Sequence, residues 1–427
     1  MSSPAAKSPF VAIACGGTGG HLFPGLAVAE QLQQRGCTVA LLISPKDVDQ
    51  QAVKSALVRR PPARPGLGDA QKLAGPEAGA PLEVFTLPAV ALQNRNYFSF
   101  ARSFWQSWRA SSKIFRQRKP DAVLAMGGFT SAPPILTARD FGAKTFLHES
   151  NTIPGRANRF LARFVDEAFV GFPEASARLK ARKLTATGTP VRPQFSPGQN
   201  LVGRDSVEPR STQCRIALGL DPDRPVVLVM GGSQGASGLN DMVLSALPAL
   251  GARAAAWQWL HLTGPGDFEK VKSAYAARGL TAVVKTFLAE MDLALGAATV
   301  SVSRSGASSL AEIAAMRLPS LLVPYPAAAD NHQWINARAF EKTGAARLLE
   351  QKNSPPERVA ALLCELVENA AAREKIQSAL VPWHAPKAAE QIAEIILAAI
   401  AQPVRAARSP VQNCGCGRAH GSARHAH

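Results

Sequence analysis

Short runs of consecutive apolar residues recur along this chain and alternate with stretches that have helical spacing. Runs of this length, bounded by glycine, proline or polar residues, are typical of strands buried in a parallel sheet. Strands that alternate with helices predict βαβ units, and the pattern occurs in both halves of the chain. The predicted strands are residues 12–14, 38–43, 82–87, 121–126 and 144–148, followed in the second half by 225–230, 257–262, 282–285, 300–303 and 320–323.

A glycine-rich turn follows the first apolar run and opens the first predicted helix. Glycine occupies four of the five positions 16–20, so backbone N–H groups at the positive end of the helix dipole can approach an anion closely. Such a turn is equally compatible with an ordinary strand-to-helix connection. His21 adds a side chain that titrates near neutral pH, which a turn does not require. We interpret the stretch as a site for phosphate or for negative charge that develops during a reaction.

Polar residues also follow several other predicted strands. In the first half these are a second glycine turn at residues 127–128 and the run His-Glu-Ser-Asn at 148–151; in the second half a third glycine loop begins at residue 231. Open α/β sheets bind ligands at the carboxyl ends of their strands. Two domains whose glycine turns face each other could therefore clamp one nucleotide diphosphate.

Two polar clusters in the second half extend this picture. Small residues between Arg304 and Ser309 open a predicted helix whose amides can hold phosphate, and Glu312 can accept two hydrogen bonds from a ribose diol. After the next strand, Gln333 can read a sugar hydroxyl through its side-chain amide. Simpler roles stay open: Glu312 as an ion-pair partner on a solvated helix, and Asp330 as a helix cap.

The composition narrows the class of protein. The chain has 427 residues, enough for two domains of roughly 150–200 residues each. Its net charge of +17 predicts an acidic partner, which could be nucleic acid, a phosphorylated substrate or an anionic membrane. The six cysteines have neither disulfide-scaffold nor metal-site spacing, so reduced thiols are expected. No apolar run approaches the roughly 20 residues of a spanning helix, and the N-terminus lacks a signal-peptide core, so a cytoplasmic location is predicted.

One segment combines basic and aromatic residues. Residues 95–119 contain no acidic side chain, and on a helix Phe104, Trp108 and Phe115 share a face that arginines flank. This is the composition of an anchor on anionic lipid, while a core helix with solvated basic residues is the alternative. A nucleic-acid surface is less well supported, because no recognised binding module surrounds the segment. The residues expected at the membrane are Arg102, Phe104, Trp105, Trp108 and Arg109.

Other stretches predict little chemistry. Residues 59–81 are rich in proline, glycine and alanine and are expected to be a surface insertion, and residues 402–427 a disordered tail. The Asp-x-Asp pairs at 47–49 and 221–223 lie in polar turns without another nearby carboxylate, so metal catalysis is not expected. The G-x-G-x-x-G pattern of a dinucleotide dehydrogenase is not met cleanly.

Seven motifs, taken in order along the chain, carry a specific resemblance. They are GGTGGHLFPG at 16–25, MGGFTSAP at 126–133, HESN at 148–151, GTPVR at 188–192, GGSQGA at 231–236, RSGASSLAE at 304–312 and DNHQ at 330–333. In this order they resemble the MurG family of N-acetylglucosaminyltransferases, which convert lipid I to lipid II in bacterial peptidoglycan synthesis. The resemblance covers about residues 10–400. Two positions depart from the family pattern on the expected acceptor side, Ser150 in place of Gln and Phe129 in place of Tyr.

The resemblance implies an α/β fold of the GT-B type, with two Rossmann-like doubly wound parallel-sheet domains and a cleft between them. Residues 8–190 would form the N-terminal domain on the acceptor and membrane side, joined by a C-terminal helix at about 385–400. Residues 191–384 would form the domain that holds the donor, UDP-GlcNAc.

The family's binding residues carry over motif by motif. Leu288 would meet the uracil through its backbone, Glu312 the ribose, and Asn151 and Gln333 the GlcNAc. Arg192 would lie close to the nucleotide. The diphosphate would contact Ser233 and the helix opening at Ala307, Ser308 and Ser309, and the cleft would be completed by Thr18, Gly19 and Gly20.

The implied reaction is a single inverting displacement without metal or cofactor. His21 is the expected general base, with Glu149 in reserve, and loop and helix amides would stabilise the departing diphosphate. The expected partners are UDP-GlcNAc, lipid I and the anionic inner leaflet at the cytoplasmic face of the inner membrane, with proteins of cell-wall synthesis and cell division as further candidates and no nucleic acid. A UDP-GlcNAc 2-epimerase of the same fold and a non-catalytic membrane scaffold are the alternatives.

Overall fold

A computed structural model describes residues 8–16, 19–45, 82–88, 97–195, 210–232 and 235–402. Within these ranges the chain forms two parallel sheets with helices on both faces, one in each half. The predicted α/β class and the two doubly wound domains are confirmed. Thr18, Ser233, the insertion at 59–81 and the tail from 403 lie outside the described residues.

The first half is built on a seven-stranded sheet in the order β3-β2-β1-β4-β5-β6-β7. The alternating helices are α1 (Gly19–Gln34), α2 (Tyr97–Gln117), α3 (Ala132–Asp140) and α4 (Arg156–Leu161). The strands are β1 (Phe10–Ala14), β2 (Thr38–Ile43), β3 (Glu83–Thr86), β4 (Ala122–Ala125), β5 (Lys144–Glu149), β6 (Glu167–Val170) and β7 (Leu184–Ala186).

The second half repeats this design with six strands in the order β10-β9-β8-β11-β12-β13. The strands are β8 (Val226–Met230), β9 (Gln258–Leu262), β10 (Ala282–Lys285), β11 (Val300–Ser303), β12 (Ser320–Leu322) and β13 (Arg347–Leu348). The helices are α5 (Arg210–Ala217), α6 (Ser237–Leu250), α7 (Ala252–Ala256), α8 (Phe268–Ala276), α9 (Met291–Ala297), α10 (Ala307–Met316), α11 (His332–Lys342), α12 (Pro356–Glu368), α13 (Ala370–Leu380) and α14 (Ala388–Ala401).

The last helix, α14, returns to the first half. Ile392 and Ile396 are buried in the first core, and Arg35 of α1 pairs with Glu390 at 3.0 Å. The connection from the first half to the second passes Gly188, where φ is +79°. A side chain at this position would collide with Ala385, in the connection that leads back to the first half. Glycine is therefore required at this close approach between the two connections.

Helix α2 places its aromatic residues on two different faces. Phe115 is fully buried and Phe104 packs against a second hydrophobic cluster, on the face of the first sheet opposite α14, whereas Trp105 is 53% exposed and Trp108 36% exposed. The structure therefore corrects the predicted common face, because Phe104 and Phe115 pack against the sheet and the two tryptophans face outward. Among the described helices, none combines the length and the apolar character needed to cross a membrane.

Candidate active site

The glycine turn that follows β1 and the glycine loop that follows β8 each lie where the strand order of their sheet reverses. In the first half the reversal lies between β1 and β4, and in the second between β8 and β11. Such points open a crevice at the carboxyl ends of the strands. The two crevices meet, because the Ser308 hydroxyl on α10 donates to the Gly20 carbonyl on α1 at 2.6 Å. The predicted cleft thus has one wall from each half.

His21 lies in the crevice of the first half. A Cβ placed on Gly127, after β4, would come within 2.7 Å of the His21 Cε1 atom, so the imidazole packs directly on this second glycine turn. Gly127 has a φ of +117°, which L side chains rarely adopt. The Thr130 hydroxyl donates to the Gly16 carbonyl at 2.6 Å and joins the two turns. Glycine at 127 therefore makes room for the imidazole.

Glu149, at the end of β5, is buried and fully engaged with neighbouring donors. Its carboxylate accepts hydrogen bonds from the Asn151 N–H at 2.8 Å and the Asn151 Nδ2 at 3.1 Å. It also accepts from the Gly155 N–H at 2.9 Å and the Asn158 Nδ2 at 2.8 Å. Four donors on two oxygens favour a role in holding the loop, which weighs against Glu149 as the reserve base.

Ser150, one of the two departures from the family pattern, contacts a buried imidazole. Its hydroxyl lies 3.2 Å from His148 Nδ1, and His148 Nε2 lies 3.0 Å from the Gly188 carbonyl. Because a carbonyl only accepts, Nε2 carries the proton and Nδ1 accepts from Ser150. Burial lowers the pKa of His148, which agrees with a neutral ring.

Arg192 and Glu312 face each other in the second half. Their charged groups are 3.6 Å apart, and both side chains are largely buried. The Arg192 guanidinium also lies 4.2 Å from the Phe23 ring of α1 and 5.0 Å from the Phe195 ring. Burial raises the pKa of the Glu312 carboxyl, and the Arg192 charge opposes this shift. The predicted ribose acceptor therefore has a cationic partner that favours its ionised form.

The polar residues after β11 and β12 are bound to main-chain groups. Arg304 donates to the carbonyls of Val323 at 2.9 Å and Pro324 at 3.0 Å, and burial lowers the pKa of its guanidinium to about 10. The Ser305 hydroxyl donates to the Gln333 carbonyl at 2.8 Å, and the Gln333 Oε1 accepts from the Tyr325 N–H at 2.9 Å. The amide nitrogen of Gln333 has no hydrogen-bond partner among the described residues and is available to a ligand.

Three further predicted residues lie at the start of α10 or in the connection between β10 and α9. Ala307 is buried at the start of α10, and Ser309 follows in its first turn. Leu288 is 7% exposed in the connection between β10 and α9. The pair Asp221 and Asp223 precedes β8 and so lies at the opposite, amino-terminal edge of the sheet. Metal-independent catalysis stays a prediction.

The sequence did not predict two residues, Asn336 and Gln351, that hydrogen-bond to residues of the candidate site. Asn336 on α11 bonds to the 151–152 loop across the cleft, and Gln351 accepts from Arg304 Nη2 at 2.7 Å. One signal for Asn336 was its position three residues after Gln333, which puts both on neighbouring positions of one helix face. No local pattern pointed to Gln351.

Two family models match the chain. The one described as the glycosyltransferase family 28 N-terminal domain matches residues 11–170, and the one described as the family 28 C-terminal domain matches residues 226–394. Each match contains one of the two sheet reversals.

Curated relatives align along nearly the whole chain. The UDP-N-acetylglucosamine–N-acetylmuramyl-(pentapeptide) pyrophosphoryl-undecaprenol N-acetylglucosamine transferase of Anaeromyxobacter dehalogenans strain 2CP-1 is 34% identical over 411 residues, which cover 94% of this chain and 96% of the relative. The protein of the same name from Pelobacter propionicus strain DSM 2379 is 34% identical over 364 residues, covering 83% and 90%.

Solved structures share the architecture. The crystal structure of Acinetobacter baumannii MurG has a TM-score of 0.63 and 25% identity, covering 92% of this chain and all of that one. A calicheamicin glycosyltransferase has a TM-score of 0.60 at 14% identity, covering 93% and 100%, and shows likeness of fold alone. These likenesses confirm the predicted GT-B architecture.

Proposed function

Because this chain belongs to the MurG family within glycosyltransferase family 28, we propose that it transfers GlcNAc from UDP-GlcNAc to the muramyl 4-hydroxyl of undecaprenyl-pyrophosphoryl-MurNAc-pentapeptide, lipid I. The product is lipid II, a precursor of peptidoglycan. The observation that carries this proposal is the 34% identity to transferases of this name over 94% of the chain. The alignment includes both walls of the cleft, so donor and acceptor sites are both expected here.

The reaction is an in-line displacement at the anomeric carbon. The muramyl O4 attacks C1 of GlcNAc, the bond from C1 to the UDP oxygen breaks, and the configuration inverts. His21 takes the proton from O4, and its contact with the Gly127 turn holds the imidazole at the strand-order reversal. The backbone amides of the first turn of α10, which begins at Ala307, stabilise the negative charge that develops on the departing diphosphate.

The second half supplies donor recognition. Glu312, held by Arg192, accepts hydrogen bonds from the ribose hydroxyls, and the backbone near Leu288 meets the uracil. Gln333 offers its amide nitrogen to GlcNAc, since its Oε1 is already bound to the Tyr325 N–H. Asn151, from the first half, contacts the same sugar.

Helix α2 supports docking on the membrane. Phe98, Trp105 and Trp108 are exposed, together with Arg102 and Arg109. Such a surface fits the anionic lipid of the cytoplasmic face of the inner membrane, where lipid I would be met. Phe100 of the same helix packs edge-on against Phe129, with 5.8 Å between the ring centroids. Phe129 follows the Gly127 turn, against which His21 packs. We therefore infer a peripheral location, with the acceptor entering beside α2.

One assay separates this function from its alternatives. UDP release from UDP-GlcNAc is measured with and without a soluble lipid I analogue, and the sugar products are identified. Release that requires the analogue, together with a disaccharide product, is the expected result. A 2-epimerase would act on UDP-GlcNAc without the analogue, and a non-catalytic scaffold would release no UDP in either arm; both outcomes contradict the proposal.

A further inference from the structure

The side chain of Asn336 lies wholly buried between the two halves of the molecule. Its Oδ1 accepts from the Thr152 N–H at 3.0 Å and from the Thr152 hydroxyl at 2.8 Å. Its Nδ2 donates to Asn151 Oδ1 at 3.1 Å and to the Ser305 carbonyl at 3.2 Å. A primary amide has two N–H donors and two acceptor positions, so every position of Asn336 is used. Three of these four bonds reach the first half.

The hydrogen bonds fix the direction of both amides. The Ser305 carbonyl only accepts, so Nδ2 of Asn336 must face it, and the same nitrogen then faces Asn151 Oδ1. On its other side, Asn151 donates through Nδ2 to the Glu149 carboxylate. Asn151 is therefore locked between an acceptor and a donor, which leaves one N–H and one oxygen lone pair for a ligand.

We propose that Asn336 is a positioning residue for the sugar of the donor, acting by orienting Asn151. This inference rests on the proposed function, in which Asn151 contacts GlcNAc. Since Asn336 belongs to the second half and Asn151 to the first, the orientation exists only when the halves are seated as in this structure. Asn336 thus couples the closure of the cleft to the presentation of Asn151.

A second contact between the same segments provides a matched control. Asp330 precedes α11 and pairs with Arg159 at 2.8 Å and with Arg156 at 3.6 Å, so it also bridges the halves. These side chains are partly or largely exposed, and exposed ion pairs contribute little. Asp330→Asn keeps the shape and tolerates the left-handed φ of 50° at this position. It removes a bridge without touching the buried amide.

The test is a double-mutant cycle between positions 336 and 151. Asn336→Ala is expected to lower kcat for lipid I-dependent UDP release by about 10- to 100-fold, because Asn151 loses the buried donor that orients it. The dissociation constant for UDP, which contacts the second half, should change less than about twofold. In an Asn151→Ala background the same substitution should cost less than about threefold, since the residue through which it acts is gone. Asp330→Asn should change kcat by less than about threefold.

A second variant guards against simple loss of packing. Asn336→Asp keeps the volume and the acceptor for Thr152 but turns an oxygen toward Asn151 Oδ1 and the Ser305 carbonyl. Its kcat should fall at least as far as that of Asn336→Ala, again with UDP binding retained. Equal losses from Asn336→Ala in the wild-type and Asn151→Ala backgrounds would overturn the inference alone, provided that the wild type is active. A wild type without lipid I-dependent release would overturn the proposed function and this inference with it.

Discussion

The two halves share a strand order but line the cleft with different chemistry. In the second half, Arg304 and Gln333 are bound to main-chain groups before any ligand arrives, and Glu312 is paired with Arg192. The first half contributes His21 on a glycine turn and, beside it, the exposed aromatic and basic face of α2. Polar side chains that protein partners already hold in place suit the binding of a small soluble nucleotide. An exposed face of aromatic and basic residues suits an acceptor held in a membrane. Under the proposed function, two sheets of the same strand order divide the work, one binding the donor and the other receiving the acceptor.

The comparison is tested most strongly at His21. His21→Ala should lower kcat by about 10²–10⁴-fold, the usual contribution of a general base, because in the proposed mechanism His21 accepts the proton of the muramyl 4-hydroxyl. The dissociation constant for UDP, measured by calorimetry, should stay within about twofold, because the second half is untouched. His21→Gln should show the same loss, since it fills the space without a titrating ring. Full activity in either variant would remove His21 from the role.

Glu312 should show the opposite pattern. Glu312→Gln removes the charge that Arg192 faces at 3.6 Å, and it should weaken the proposed hydrogen bonds to the ribose. Loss of a charge-assisted hydrogen bond should raise KM for UDP-GlcNAc by about 10- to 100-fold with kcat changed less than about threefold. Glu374→Gln, on an exposed position of α13, is the matched control. If Glu312→Gln lowered kcat and left KM unchanged, the division of labour between the halves would be wrong.

Much of this architecture could be predicted from the sequence, since the apolar runs of β2, β10 and β11 coincide with the observed strands. Strands β6, β7 and β13 were missed because they are only four, three and two residues long. Glu167 at the start of β6 is satisfied by Lys183 at 2.9 Å and Thr185 at 2.6 Å, a pairing that only the folded sheet creates. Local apolar patterns cannot encode such partners.

The candidate site also contains some residues that the sequence predicted and others that it did not. Its motifs lie at strand ends and were found because each is contiguous in the sequence. Asn336 was missed because its partner Thr152 is 184 positions away. The orientation of α2 was misjudged because both of its faces carry aromatic residues, and only packing shows that Phe115 is buried while Trp105 is exposed.

The exposed face of α2 gives the next smaller effect. Each basic residue near an anionic surface contributes roughly 1 kcal/mol, so Arg102→Gln with Arg109→Gln should weaken binding to phosphatidylglycerol vesicles about 30-fold at low salt. Vesicle sedimentation measures this, with phosphatidylcholine vesicles as the uncharged comparison. Lys352→Gln with Lys375→Gln makes the same charge change on exposed positions of the second half and should have little effect. Equal weakening by both pairs would mean that net charge, and not this face, drives binding.

The smallest effect concerns the support behind the glycine loop of the second half. His261, buried in β9, bonds through Nε2 to Asn240 Oδ1 at 3.0 Å and through Nδ1 to the Tyr275 hydroxyl at 3.1 Å. The Asn240 Nδ2 donates to the Thr263 carbonyl at 3.0 Å. A side chain at Gly235 would collide with that carbonyl. Asn240 therefore accepts from a protonated Nε2, and Nδ1 accepts from Tyr275, which requires a neutral ring.

Burial lowers the pKa of His261 from 6.5 to about 3. Above pH 6.5 the ring is neutral in both folded and unfolded chains, so it adds no pH dependence. Below 6.5 the unfolded chain binds a proton that the folded chain excludes, so stability falls until both are protonated near pH 3. At pH 5.5 this amounts to about 1 kcal/mol. Urea unfolding at pH 7.5 and 5.5 should show that His261→Gln, which keeps a donor toward Asn240, loses this part of the slope. An unchanged slope in the variant would show that the folded chain does not exclude a proton from His261.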